Sequence, residues 1–363
     1  MRLIVFLTVT FLLIFTSNAQ DLVDIRTTKL GKQTLYSNLE NKLLTGTFKV
    51  ATSYNGKYAE ITLLEGKLAG VRKDYNQNGE LVKEENYKDG FLEGKVTHYF
   101  RNGVVKREEF YVKSIIDGTC TSYNFKGEEI AKEHYKKGVK VGKWIAKHKK
   151  FGGTEYHVHT KQYDEQGKPK GIWKEVDENG DPVWIKKYKT PNHYEKQEYY
   201  SNGKKKKEFS RKNNKLVGVY EEYYDTGILK NKQVYKDGKS TFKQNNYDDG
   251  TTKFIGNYKN RKSHGEHVHY DNDGVITMKG SYDNSKRTGE WIIVSRGIKT
   301  IVNYKKGKKN GKEKVYNSKG KLFSTGNYLN NRKDGLWKFY NAEKEVTKEM
   351  KYEEGKRISV TSY

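Results

Sequence analysis

Gly70-Val-Arg-Lys-Asp-Tyr75-Asn-Gln-Asn-Gly79-Glu-Leu81-Val-Lys-Glu-Glu-Asn-Tyr87-Lys-Asp-Gly90 holds two short runs, each ending in Tyr, around a polar segment with a central Gly. Asn78-Gly79 tolerates the positive φ that a tight hairpin turn needs, so the stretch reads as two antiparallel strands joined by a short loop. The same pattern returns along the chain. Its opening Gly recurs as Gly46, Gly70, Gly94, Gly118 and Gly142 in steps of 24, then as Gly171, Gly218, Gly265, Gly289, Gly311 and Gly335, with Tyr194 and Thr241 in two intermediate slots. A fixed period of this length marks a repeat architecture, here thirteen units from Gly46 to about Ser359. Asn102-Gly103, Asn179-Gly180, Asn202-Gly203 and Asp273-Gly274 are read, like Asn78-Gly79, as the central pairs of the turns.

Two positions after the opening Gly a large aromatic often stands: Phe48, Trp144, Trp173, Tyr220, Trp291 or Trp337. Three residues later comes a Tyr, as in Tyr75 or Tyr340. The two positions have opposite parity, so either the strand bulges or both faces of the sheet carry aromatic rings. Composition agrees with a thin structure. Of 363 residues, 34% are hydrophobic and 32% charged, and Tyr contributes 29 copies, which favours many small burial sites over one thick core. The expected fold is all-β: an elongated single-layer twisted antiparallel sheet of tandem hairpins.

The chain's start differs from the rest. Arg2, an apolar run over residues 3–15 and the small residues Ser17 and Ala19 read as a signal peptide over 1–19, with cleavage before Gln20. Residues 20–45 are read as an N-terminal cap, 46–359 as the array and 360–363 as a tail. Cys120 is the only cysteine, so no intramolecular disulfide forms. The formal charge of +26 would suggest nucleic acid, but export to the periplasm or beyond the cell removes that partner. A protein, acidic glycans or lipid headgroups, with peripheral membrane contact, become the expected partners.

Gly335-Leu-Trp337-Lys-Phe-Tyr340 followed by Tyr352-Glu-Glu-Gly355 resembles the MORN-repeat variant family of bacterial proteins, and the resemblance extends over nearly all of the chain after the leader. It implies the hairpin-array fold. An antitoxin-like label and roles in membrane attachment and scaffolding also attach to such repeats. Tyr194, Thr241 and Lys344 depart from the pattern at Gly positions, and the fifth unit is lengthened around Phe151-Gly152-Gly153.

Candidate chemistry is sparse. His157-Val158-His159 and His267-Val268-His269, the latter with His264 nearby, each put two imidazoles on one strand face, but a metal site needs further ligands, so both are read as exposed strand histidines. Asp177-Glu178-Asn179-Gly180-Asp181 and Asp271-Asn272-Asp273-Gly274 lack the bidentate Glu of a calcium loop and fall where turns are due. Neither a phosphate loop nor a nucleophile motif appears, so the chain is read as a non-enzymatic scaffold without cofactor or metal. Trp144, Trp173, Tyr220, Trp291, Trp337 and the run Lys204, Lys205, Lys206, Lys207 are its candidate partner contacts. A neutraliser of a secreted toxin and a purely structural spacer are the alternative readings.

Overall fold

In the computed structural model the chain is described at residues 14–15, 25–30, 33–52, 56–150 and 153–363. These residues form strands and turns and no helix. The segment read as a signal peptide lies outside the described residues except for Ile14–Phe15, which pairs antiparallel with Gly46–Ala51 through Ile14↔Val50 and Phe15↔Lys49.

The chain divides into two compact units, Met1–Asp181 and Pro182–Tyr363. The first contains five hairpins, from Gly46–Ala51 paired with Tyr58–Leu64 to Gly142–Lys149 paired with Tyr156–Tyr163, and then the strand Ile172–Val176. The second opens with Pro182–Thr190, continues through seven hairpins and ends with Lys356–Ser362. From Gly46 on, the described strands of both units pair antiparallel with strands adjacent in sequence, and they do not close into a barrel. The recurrent Tyr-rich runs thus form an open antiparallel sheet from tandem hairpins, as their alternation predicts. Residues 360–363, read as a tail, instead belong to that last pairing: Thr361 and Ser362 lie opposite Glu349 and Lys348, and the Tyr363 amide donates to the Thr347 carbonyl at 2.9 Å.

Within the segment read as the cap, Arg26–Leu30 and Gln33–Ser37 form a separate two-stranded sheet. Ile25, Tyr36 and Leu44 pack against Val50, Ala59, Ile61, Leu63 and Leu68, the one aliphatic cluster among the described residues. The cap therefore covers a face of the first hairpin. Apolar residues alternate on Tyr58–Leu64, and their buried side needs a second layer.

The turns require a correction. Gly79 N donates to Asn76 O at 3.0 Å, so the turn spans 76–79 with Gln77-Asn78 at its centre, and only Gly79 has positive φ. Asn-Gly is therefore not the central pair. The loop is a type I turn followed by a Gly bulge, and Asn76 fixes it by accepting from the Asn78 and Glu80 amides at 2.9 and 3.0 Å. Asp271 and Asn317 do the same in their loops. Two-residue type I′ turns lie between hairpins, as at Asp237-Gly238 (φ 50 and 74) and Asn260-Arg261 (φ 53 and 64), and within one hairpin, at Arg296-Gly297 (φ 50 and 75). Every second connection thus falls on the same edge, which gives each sheet two chemically distinct edges.

Candidate interaction surface

The aromatic positions occupy both faces. Trp337 lies opposite Met350 and packs edge-on to Tyr328 and Tyr352, whereas Tyr340, three residues on, meets Thr325 on the other side. A bulge exists as well, at the opening Gly: Thr325 pairs with Lys338 and Asn327 with Asp334, leaving three residues opposite Gly326. That bulge lays Trp337 across Gly326, where an added Cβ would sit 2.1 Å from the indole. The indole N–H then donates to the Asn327 carbonyl at 3.1 Å. Trp291 repeats the arrangement over Gly280 and bonds the Ser281 carbonyl at 3.2 Å.

This slot is a burial site in seven of the thirteen units, with very different residues in it. Trp291 is 0% exposed and Trp337 2%, and Val96, Cys120, Trp144, His267 and Glu313 are buried in the equivalent position. Trp144, Trp291 and Trp337 consequently face neighbouring strands and have no free ring face for a partner. Tyr220 and Trp173 are half-buried; Tyr220 packs on Phe209 and Tyr235, and Trp173 packs on Tyr163 and donates to the Gln162 carbonyl. Cations on the same face stack over the rings, with Arg287 4.4 Å from the Trp291 ring and Lys333 4.1 Å from that of Trp337.

The lysine run is likewise engaged within its own sheet. Lys204 Nζ reaches the Thr226 carbonyl at 2.8 Å, Lys205 pairs with Glu208, Lys206 lies over the Tyr200 ring, and Lys207 approaches Glu222 at 3.9 Å.

A different basic surface emerges from the topology. On the second unit's edge of type I′ turns, Lys212 faces Lys215, Lys236 faces Lys239, and Lys259 faces Lys262 across their hairpin ends. Lys305 and Lys308 repeat this pairing around Lys306. All are exposed, and among the described residues none of these four pairs takes part in an ion pair. The seven between-hairpin turns from Lys212 to Lys356, each taken as four residues, carry thirteen Lys or Arg and four Asp or Glu. The seven turns on the opposite edge, counted in the same way, carry three and six. This edge is hidden in the sequence because lysines that adjoin in space stand about 24 apart in the chain.

The two histidine pairs separate. His267 fills the buried slot, packs edge-on against Tyr258 and Tyr282, and bonds the Asn257 carbonyl at 2.8 Å, as tryptophan does elsewhere. Its neighbour His269 packs on Phe254, and burial pushes both imidazoles below their ordinary pKa. His157 and His159, by contrast, both bind Glu175, at 2.5 and 2.7 Å, and His148 stands 3.8 Å from the same carboxylate. The exposed-histidine reading fails for His157 and His267, which are both buried.

Five segments, 68–89, 92–113, 216–237, 263–284 and 309–330, match the family model of the MORN repeat variant. No curated protein matches the sequence. Among solved structures, the crystal structure of TcdB2-TccC3 without its hypervariable C-terminal region aligns over 94% of this chain at 11% identity. This chain spans 22% of that one, and the TM-score of 0.17 carries no argument.

Proposed function

We propose that this chain of MORN-variant repeats is an exported binding scaffold whose contact surface is the lysine-rich edge of its second unit, and whose partner is a linear polyanion such as an acidic glycan of the cell envelope. The observation that carries the reading is the set of Lys pairs facing each other across type I′ turns. Like charges directly opposite destabilise a hairpin, so their recurrence without carboxylate partners has no account in the fold itself. Successive turns on one edge are separated by two strands, about 9.5 Å, a comb that an extended chain of negative charges can follow. Export rests on the leader sequence, and a scaffold rather than a catalyst rests on the repeats and the absence of a nucleophile motif. The buried tryptophans have a packing role, so binding is read as electrostatic.

The test is the affinity of the full chain for dextran sulfate across a salt series. Changing Lys212, Lys215, Lys259 and Lys262 to Gln should weaken binding and flatten the salt dependence, by about one unit of log–log slope for each anion-binding lysine removed. Changing Lys204, Lys319 and Lys321 on the opposite edge should leave the slope almost unchanged. Equal weakening by both sets would reduce the interaction to net charge and overturn the proposal.

A further inference from the structure

We infer that His148, His159 and Glu175 form a binding site for one divalent transition-metal ion, with His157 holding the carboxylate in place. Register alone assembles the group. His148 lies opposite His157 on paired strands, and His159 lies opposite both Ala146 and Glu175. Alternation then puts all four side chains on one face, and the small Ala146 leaves room between the imidazoles.

The lengthened fifth hairpin is what admits His148. In a regular unit such as the second, the sixth residue after the opening Gly is the turn-capping Asn76. Here the strand runs on to Lys149 in unbroken register, so His148, six residues after Gly142, remains in the sheet.

One ligand atom from each of His148, His159 and Glu175 lies within 4.8 Å of the other two. A tetrahedral Zn²⁺ with ligands at about 2.0–2.1 Å holds those atoms roughly 3.3 Å apart, a difference that side-chain rotation covers. The His148 and His159 rings are already adjacent, with centroids 4.4 Å apart. His159 Nε2–H donates to one Glu175 oxygen and His157 Nδ1–H to the other, so two of the three groups that a cation would gather are already in contact. Two imidazoles with one carboxylate suit Zn²⁺, Ni²⁺ or Cu²⁺ better than Ca²⁺ or Mg²⁺. Three protein ligands leave a position for water or a partner's side chain. His157, 7% exposed and hydrogen-bonded to the carboxylate, is a positioning residue of the outer shell.

The experiment titrates the untagged, EDTA-stripped full chain with Zn²⁺ by calorimetry and with Co²⁺ by visible absorption. One equivalent should bind and give ligand-field bands. His148→Gln, which leaves the His157–Glu175–His159 bonds in place, should weaken binding by at least about tenfold, and His157→Gln should weaken it about 10- to 100-fold, as outer-shell changes do. A His267→Gln, His269→Gln double variant should bind like the parent chain. Absence of stoichiometric binding, or His148→Gln matching the parent while circular dichroism shows it folded, would overturn the site and leave a hydrogen-bonded packing cluster. The edge-lysine variants separate this inference from the polyanion reading, since they should keep the metal.

Discussion

At the scale of single residues, the repeat works because one slot accepts very different chemistry provided its neighbours adapt. Where the slot holds Trp291 or Trp337, the facing strand supplies Gly280 or Gly326. Where it holds Arg72, Glu85 lies on the facing strand 3.7 Å from the guanidinium, and Asp74 lies closer at 2.9 Å. In the third and fourth units, whose slots hold Val96 and Cys120, the strands facing them carry a polar network: Arg107 bridges Glu109 and Glu133 at 2.6 and 2.8 Å, and Tyr111 donates to Glu109 at 3.0 Å. The His98 imidazole at 3.6 Å, the Arg107 guanidinium and the Tyr111 hydroxyl hold the Glu109 carboxyl at about 2, against the burial that raises it. A depressed carboxylate contributes stability above its unfolded pKa, here near 4.5, and loses it as pH falls towards the folded value. Carbon-detected NMR should therefore place the Glu109 midpoint near 2, and Arg107→Gln should move it upward. A midpoint in the ordinary carboxylate range, unchanged by that substitution, would contradict the network.

At the scale of the hairpin, steric fit governs. Gly280 has ordinary backbone angles, so its role is to admit the indole rather than to allow a special φ. Gly280→Ala should force Trp291 off its site and cost about 1–3 kcal/mol, in the range of overpacked cores. Gly320→Ala, with no neighbour within 4 Å, should show only the smaller penalty of its φ of 74°, and urea melts of the two variants compare them directly. Much of this element is legible in the sequence. The period and the two Tyr positions are read from the sequence; alternation leaves open whether a bulge or two aromatic faces place the rings, and both occur. The turn centres are not legible, because Asn-Gly suits both a type I′ centre and the end of a Gly-bulged loop; an Asn or Asp three residues before the Gly, as Asp271 before Gly274, points to the latter, but the same turn forms with Phe100 or Tyr200 there. Glu175 cannot be joined to His157 and His159 from sequence, because the pairing crosses the eight residues 164–171, whose register no motif fixes.

At the scale of the whole molecule, stability passes from each hairpin to its neighbours. Ile25, Leu63 and their neighbours build a small two-layer core at the N-terminal hairpin, and the other hairpins rely on slot residues, ring contacts and strand pairing. Such an array has no centre from which stability radiates, so damage should stay local. Trp291 is the most demanding probe, being fully buried and in contact with Tyr282 and Tyr304 on the strands to either side. Hydrogen exchange on Trp291→Ala, followed strand by strand, tests this most directly. Protection should fall most in Ile276–Asp283, Lys286–Ser295 and Ile298–Lys305 and recover towards Lys205–Lys212 and Val346–Glu353; an equal fall across every hairpin of the second unit would contradict it.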